Sequence, residues 1–195
     1  MEGILFGLDI GTTKVCALVG EVRAGQLRII GYGVEASRGM RKGMIVDVAE
    51  ASIAIARAVE KAEETSGYAL SRALVSMAGE HISSTNSNGA VAISRNGSGV
   101  TTEDIERALE AAQAVPVSHN REIVHLVPRH FRVDENTVQQ PVGMHGFRLE
   151  VEAHIVTGAS TALRNIGTCA ENVGIQTEEF VLNALASGEA VLEPN

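Results

Sequence analysis

A short turn near the amino terminus contains the residue types that bind phosphate. Residues 9–14 read Asp-Ile-Gly-Thr-Thr-Lys and join one apolar strand to the next with no helix between them. Asp9 suits a magnesium ion, bound through water, because that ion prefers hard oxygen ligands. Gly11 lets a ligand approach the backbone closely. Thr12, Thr13 and Lys14 supply amide N–H donors, hydroxyls and one cation. The turn therefore predicts a phosphate cradle.

Other kinds of turn must be weighed against this prediction. The two better-known phosphate loops, Gly-x4-Gly-Lys-[Ser/Thr] and Gly-x-Gly-x-x-Gly, lead into a helix, and neither pattern fits. The alternative is an ordinary hairpin turn in which Gly11 supplies a positive φ and Lys14 is solvated. Asp9 favours the cradle, because a carboxylate in the apolar strand 4–10 costs free energy unless a cation or hydrogen bonds compensate it.

Composition indicates a globular protein with a packed core. The chain has 195 residues, 45% of them hydrophobic, and a formal net charge of -8. Nucleic-acid binding is disfavoured, because it needs clustered cations and the longest such cluster is Arg41-Lys42. No apolar run reaches the roughly 18 to 20 residues of a spanning helix, and the first residues lack the basic start of a signal peptide. We therefore expect a cytoplasmic protein.

The cysteines and histidines indicate neither a disulfide nor a metal site. Cys16 lies in a predicted strand and Cys169 in a predicted helix, without CxxC spacing, so both are interpreted as buried small hydrophobes. His125 and His130 are five residues apart, which places them on opposite faces of a strand.

Hydrophobic periodicity predicts an antiparallel start followed by a helix. Asp47 with Glu50 gives a helix-start signature, and Gly67 marks the end of that helix. Strands are predicted at 4–10, 15–22, 26–34 and 72–77. This strand-strand-strand-helix-strand order differs from a simple doubly wound fold.

The following segment predicts a second module of strand-helix-strand-strand type. Short strands are expected at 81–85 and 90–94, hinged on Asn88-Gly89, with a loop over 95–99. The remaining elements of the module are a helix from Thr101 to Pro116 and strands at 122–133 and 147–157.

The last part returns to helix and strand. A helix ending at Gly174, a strand over 176–182 and a short helix over 184–192 are predicted. Because an apolar helix lies within a few residues of Asn195, we expect a truncated chain.

Six motifs together resemble the FtsA family of bacterial cell-division proteins, within the actin, Hsp70 and sugar-kinase superfamily. The resemblance covers the whole chain, but only the amino-terminal half of that family. The motifs are residues 7–15 (GLDIGTTKV), 37–39 (SRG), 42–43 (KG), 79–83 (GEHIS), 141–143 (PVG) and 185–192 (LASGEAVL).

The resemblance implies an α/β fold, the actin-like amino-terminal domain. Its subdomain 1A, a mixed sheet with helices, would comprise residues 1–80 and 158–195, and an inserted subdomain 1C (SHS2) would comprise residues 81–157. The second actin-like domain would be absent.

The resemblance also implies ATP with Mg2+ as the ligand, bound at the first phosphate motif on Asp9, Gly11, Thr12, Thr13 and Lys14. The second phosphate motif, Asp-x-Gly-x-Gly-Thr, and the adenosine loop would lie beyond Asn195. Each missing charge-assisted hydrogen bond removes roughly 1.5 to 3 kcal/mol. Losing three weakens binding by roughly three to six orders of magnitude, so we expect feeble ATP binding and no measurable hydrolysis by this chain.

For function, the resemblance implies a scaffold that polymerises and links the FtsZ ring to the cytoplasmic face of the membrane at the division site. Subdomain 1C would mediate self-association and bind the cytoplasmic tail of FtsN, whereas FtsZ and the membrane would be contacted by regions outside this chain. Arg121, Arg129 and Arg132, along one predicted strand of the module, are the candidate partner-binding residues. The alternative for them is a solvated strand face.

Two other functions stay open from the residues. A small-molecule kinase or ATPase of the superfamily needs a further carboxylate, and Asp47, Asp104 and Asp134 are explained by helix starts and a turn, so no catalytic residue is assigned. A pilus-assembly or ethanolamine-utilisation relative would share the cradle, but residues 79–83 and 185–192 favour the cell-division family.

Overall fold

The computed structural model describes residues 3–93 and 99–192, and the chain divides into two compact units. Unit 1 runs up to Ile82 and resumes at Ala159, and unit 2 is Ser83–Gly158. In chain order the elements are β1 (Gly3–Ile10), β2 (Lys14–Arg23), β3 (Gln26–Ala36), β4 (Met40–Arg41), β5 (Met44–Ile45), α1 (Val48–Ser66), β6 (Arg72–Met77), β7 (Ile82–Ala92), α2 (Thr102–Gln113), β8 (Arg121–Val133), β9 (Asn136–Val138), β10 (Arg148–Ala159), α3 (Ser160–Glu171), β11 (Gln176–Leu182) and α4 (Asn183–Val191).

Unit 1 is built on a mixed five-stranded sheet with the order β11-β6-β1-β2-β3. The first three strands form an antiparallel meander, as the sequence predicts, and β6 and β11 run parallel to β1. Ala24 and Gly25 make the turn between β2 and β3, both with positive φ (50° and 75°), the conformation that short hairpin turns favour. The carboxyl ends of β1, β6 and β11 therefore lie at one edge of the sheet.

Helix α1 forms where its start and stop signals predict. The Asp47 side chain accepts a hydrogen bond from the Glu50 amide, and Gly67 ends the helix in the left-handed conformation. Its apolar face is buried against β2 and β3, and α3 lies beside it. Contact is close, because a Cβ on Gly33 would lie 1.9 Å from the Ala58 carbonyl oxygen. The largest buried side chains of this unit include Val15, Val19, Ile55, Val75, Met77, Ile166 and Ile175.

The opposite face of the unit 1 sheet is open over β1, β2 and β3. Cross-strand pairs on this face are Leu5 with Gly20 and Gly7 with Leu18, and they alternate with the buried positions of the same strands. Large apolar side chains exposed on this open face are Leu5, Leu18, Leu27, Ile29, Tyr32, Val34 and Leu74. Helix α4 packs near β6 and β11.

Unit 2 contains a four-stranded sheet with the order β7-β10-β8-β9, and α2 contacts β8. Thr101 and Asp104 form a capping box at the start of α2. The buried core of unit 2 consists of Ile93, Val100, Ala108, Ala112, Val133, Leu149, Val151 and Ala153. The short β9, which follows a turn where Asp134 has φ 54°, is not predicted from the sequence.

The predicted hinge at Asn88-Gly89 is wrong, because β7 runs unbroken through both residues. Gly89 is extended and packs directly on α2, where a Cβ would lie 2.0 Å from the Ala108 carbonyl oxygen. A glycine inside a strand marks a close backbone approach as readily as a turn. The loop expected over 95–99 lies largely outside the described residues, which exclude 94–98.

Within residues 3–93 and 99–192, the helices include none with both the length and the apolar composition needed to cross a membrane.

Candidate functional site

Asp9 lies at the carboxyl end of β1, where two neighbouring strands supply partners for its carboxylate. The hydroxyl of Ser76, at the end of β6, donates to Asp9 Oδ1. The side-chain amide of Asn183, which follows β11, donates to the same oxygen at 3.2 Å. Ser187 Oγ donates in turn to Asn183 Oδ1 at 3.3 Å, which fixes the orientation of the amide. These hydrogen bonds compensate the half-buried carboxylate.

Sequence reasoning missed Ser76 and Asn183. Each follows or ends an apolar strand, as Asp9 does, and the carboxyl ends of neighbouring parallel strands are where open α/β sheets bind ligands. A polar residue at the carboxyl end of an apolar strand is the sequence feature that could have identified Ser76 and Asn183. It becomes informative only when β6 and β11 are known to flank β1 on one side, which the sheet order establishes.

The turn after Asp9 exposes its candidate ligand groups. The Gly11 amide donates to the Lys14 carbonyl at 3.0 Å, which closes the turn, and the side chains of Thr12, Thr13 and Lys14 are exposed. The turn does join β1 and β2 as an antiparallel hairpin with Lys14 exposed, but the positive φ expected at Gly11 is wrong. Its requirement is spatial, because a Cβ would lie 2.9 Å from the Lys14 carbonyl oxygen. The Gly11 amide is occupied by the turn, which leaves the following residues to face a ligand.

Thr12 is held from outside the turn. Its Oγ1 accepts a hydrogen bond of 2.9 Å from the Gly43 amide, in the loop that joins β4 to β5. The hydroxyl proton of Thr12 therefore remains available for donation to an anion.

The hydrogen bonds described for Asp9 engage one of its two carboxylate oxygens. Both described donors to Asp9 reach Oδ1, which leaves Oδ2 for a water or a cation. In the described part of the chain, no group of three or more His, Cys, Asp or Glu side chains could hold a metal. Magnesium commonly binds through one or two carboxylates with waters and substrate phosphates. Asp9 would supply the protein ligand in such a site.

Cys16 lies directly across from Asp9 in the antiparallel register of β1 and β2. Burial raises the pKa of its thiol, the Asp9 carboxylate raises that pKa further, and Lys14 opposes the two. Cys16 and Cys169 are both free thiols. The pKa of the Cys16 thiol thus depends on the charges of Asp9 and Lys14, which lie on either side of the turn.

A cavity of about 370 Å³ lies beside Asp9, between α4 and the sheet. Its polar end is formed by Asp9, Ser76 and Asn183, and its walls are apolar and small side chains, among them Leu18, Leu74, Val181, Ala186 and Ala190. The carboxylate thus borders space that a ligand or another part of the protein can fill.

The candidate partner-binding arginines divide into two environments in unit 2. Arg129 pairs with Glu152 at 2.9 Å and Arg132 with Glu150 at 3.5 Å, both across β8 and β10 on an exposed face. Arg121 instead holds Thr157, donating from Nε to Oγ1 at 2.9 Å and from Nη2 to the carbonyl at 2.8 Å. Arg129 and Arg132 belong to one charged face, and Arg121 ties two strands together.

The carboxylates considered as catalytic bases have structural roles. Asp47 caps α1, and Asp104 caps α2 and pairs with Arg107. Asp134 Oδ1 accepts from the amides of Phe147 and Arg148, each at 3.0 Å. The position of each aspartate is explained by the backbone amides that donate hydrogen bonds to it.

Comparison with known proteins finds a matching family model and several curated relatives. Residues 79–157 match the model described as the SHS2 domain inserted in FTSA. Proteins named cell division protein FtsA are 41% identical over 193 residues in Borreliella burgdorferi, 42% over 191 in Pseudomonas aeruginosa and 40% over 186 in Bacillus subtilis. These matches cover 98%, 97% and 95% of the chain but 47%, 45% and 42% of the relatives. The chain spans about half the length of the curated relatives it matches.

A solved structure shares the fold. The PilM-PilN type IV pilus biogenesis complex contains a chain that superposes with a TM-score of 0.63 over 95% of this chain and 49% of its own length, at 14% identity. With the mixed sheet of unit 1 and the match over 79–157, this likeness confirms the expected α/β fold, an actin-like domain with an inserted SHS2 module.

Proposed function

The chain belongs to the FtsA family of bacterial cell-division proteins, and from that membership we propose that it acts in cell division as the phosphate-binding and partner-contacting part of an actin-like scaffold. In this proposal unit 1 holds the phosphates of ATP with magnesium. Unit 2 contacts other subunits and division proteins. The FtsZ ring and the membrane are reached through regions outside these 195 residues.

The observation that carries the nucleotide proposal is the convergence of Asp9, Ser76 and Asn183 beside the turn in which Thr12, Thr13 and Lys14 are exposed. Two donors keep the carboxylate fixed where a magnesium ion would meet a β- or γ-phosphate. Thr12 and Thr13 supply hydroxyls, and Lys14 supplies the cation. Such preorganised donors bind a phosphate without being reordered, which lowers the entropic cost of binding.

Isothermal calorimetry with magnesium ATP tests this proposal. These 195 residues alone are expected to bind more weakly than micromolar, because they span about half the length of the relatives and each charge-assisted hydrogen bond contributed from outside them would add roughly 1.5 to 3 kcal/mol. Hydrolysis by the chain is expected to be unmeasurable. A micromolar dissociation constant would contradict the incomplete site, and no binding at millimolar nucleotide would contradict the phosphate cradle.

The partner proposal rests on unit 2 as a compact module with one charged sheet face. Glu150 contacts Arg132 and Arg148, while Glu152 contacts Arg129 and is 3.5 Å from the His130 ring. Because these pairs are exposed, each contributes little to stability, and a partner can exchange with them at small cost. In this proposal the face binds the FtsN cytoplasmic tail, and self-association also uses unit 2.

A peptide titration tests the unit 2 assignment. The cytoplasmic tail of FtsN, labelled with a fluorophore, is titrated with the intact chain and with a chain that carries Arg129→Ala and Arg132→Ala. Weaker binding by the double variant is expected. Arg72→Ala is the control, since Arg72 forms an exposed pair with Glu178 in unit 1. Equal peptide affinity for all three proteins would remove this face from the partner assignment.

A further inference from the structure

The Thr12 hydroxyl accepts one hydrogen bond within the protein and can donate another. Its oxygen accepts a hydrogen bond of 2.9 Å from the Gly43 amide, although the residues are 31 positions apart. An oxygen that accepts from an amide directs its own proton elsewhere. Gly43 therefore fixes the Thr12 hydroxyl as a donor, which is the role that a phosphate oxygen requires of it.

Gly43 is itself held in place by the chain on its other side. Its φ is +77°, and a Cβ there would lie 2.0 Å from the Ala78 carbonyl oxygen and 2.6 Å from the Gly79 Cα. The contact is equally close from the other side, since a Cβ added to Gly79 would lie 2.7 Å from the Lys42 carbonyl oxygen. Two glycines thus let the β4–β5 loop and the chain after β6 meet backbone to backbone.

Polar contacts reinforce this junction. The Glu80 amide donates to the Lys42 carbonyl at 3.4 Å, and Lys42 Nζ lies 2.8 Å from Glu80 Oε1. The loop is consequently joined to residues 78–80 by backbone packing, one long hydrogen bond and one ion pair. Movement of the Gly43 amide must be shared with that segment.

The end of β6 therefore supports both halves of the candidate site. Ser76 donates to Asp9, and two residues later Ala78 packs on Gly43, which donates to Thr12. A ligand that binds both the Thr12 hydroxyl and Asp9 is therefore connected to the end of β6 twice, through Gly43 and through Ser76. Residues 78–81 then lead directly into β7.

We propose that Gly43 is a positioning residue for phosphate binding, and that its contact with Ala78 and Gly79 transmits phosphate occupancy from Thr12 to the segment before β7. The proposal rests on the proposed binding of phosphate at the turn. When the Thr12 hydroxyl donates to a phosphate, its oxygen becomes a better acceptor for the Gly43 amide, because hydrogen bonds in a chain polarise one another. Gly43 and Gly79 thereby respond to a ligand that neither touches.

Magnetic resonance of the 15N-labelled chain, titrated with magnesium ATP to millimolar concentration, tests the proposal. Amide resonances of Thr13 and Lys14 report binding, and those of Gly43 and Gly79 report transmission. In the wild type all four are expected to shift with the same midpoint. Thr12→Ser is expected to preserve the shifts. Thr12→Val, which lacks the hydroxyl, is expected to lose the Gly43 and Gly79 shifts while Thr13 and Lys14 still respond at higher nucleotide concentration.

Amide exchange of Gly43 without nucleotide gives a second measurement. Thr12→Val is expected to accelerate that exchange and Thr12→Ser to leave it near the wild-type rate, because only the serine retains the acceptor.

The outcomes separate the two proposals. Shifts at Thr13 and Lys14 without any at Gly43 and Gly79 in the wild type would overturn the transmission and leave phosphate binding intact. Full Gly43 and Gly79 shifts in Thr12→Val would also overturn it. Absence of every shift in the wild type would overturn the proposed function, and this inference with it.

Discussion

Individual residues at the candidate site depend on partners far away in sequence. Asp9 meets Ser76 after 67 residues and Asn183 after 174. The sequence predicts the turn because its glycine, threonines and lysine are contiguous, and it singles out Asp9 because a carboxylate interrupts an apolar strand. Ser76, Asn183 and Gly43 could not be assigned in that way, since their roles appear only when strand order brings them together.

The Cys16 thiol provides a titration test of the Asp9 environment. Its pKa is raised by burial and then by Asp9, so the reactive thiolate forms only at higher pH than in an ordinary cysteine. Asp9→Asn removes the negative charge and lowers that pKa, although burial keeps it raised. The pH profile of iodoacetamide labelling at Cys16, followed by mass spectrometry, is expected to move to lower pH. The buried Cys169 is the internal control, and an unmoved profile would contradict the electrostatic account.

Gly43 and Gly25 form a matched pair for testing the β4–β5 junction. Both have positive φ, +77° and +75°, but a Cβ meets backbone only at Gly43 and nothing within 4 Å at Gly25. Gly43→Ala is expected to cost about 1–3 kcal/mol more than Gly25→Ala in free energy of unfolding, in the range of local backbone strain and overpacking. Urea denaturation measures the difference. Equal costs would mean that the contact with Ala78 relaxes without resistance.

At the scale of elements, boundaries were predictable where a local signal exists. Asp47 and Gly67 delimit α1 in the sequence and in the structure. Gly89 was misread, because glycine signals a turn and a close helix-strand contact equally, and only the position of α2 distinguishes them.

Substitution of Gly89 tests how tightly β7 packs on α2. Gly89→Ala is expected to destabilise unit 2 by about 1–3 kcal/mol, since an added methyl would overlap the helix backbone. Gly7→Ala in β1 is the control, because its Cβ would lie at an ordinary 4.0 Å from Leu18 Cβ. Hydrogen exchange resolved by residue measures the effect in each unit. Unchanged protection of α2 and β7 in Gly89→Ala would refute the close packing.

At the scale of the whole molecule, the resemblance of several short motifs predicted the fold class, while composition predicted only a packed globular protein. The open face of the unit 1 sheet was not foreseen. Periodicity marks β1 to β3 as apolar, but it does not state that helices cover just one side of them in this chain.

Two threonine substitutions test this one-sided burial. Val19 is fully buried and Ile29 is 50% exposed on the open face. Val19→Thr is expected to cost about 1–3 kcal/mol, because it buries a hydroxyl in the core. Ile29→Thr is expected to remain within about 0.5 kcal/mol, as for most surface changes. Comparable losses from both, measured by urea denaturation, would show that the open face is covered in solution.

The most direct test of the central claim compares magnesium ATP affinity between wild type, Lys14→Met and Lys61→Met. Lys14 belongs to the cradle, whereas Lys61 pairs with Glu35 at 2.7 Å elsewhere in unit 1. Calorimetry at millimolar nucleotide is expected to show weak wild-type binding, and roughly a tenfold or larger loss in Lys14→Met, since a hydrogen bond to a charged group contributes about 1.5–3 kcal/mol. Lys61→Met should match the wild type. Equal affinities for all three proteins would contradict phosphate binding at the turn.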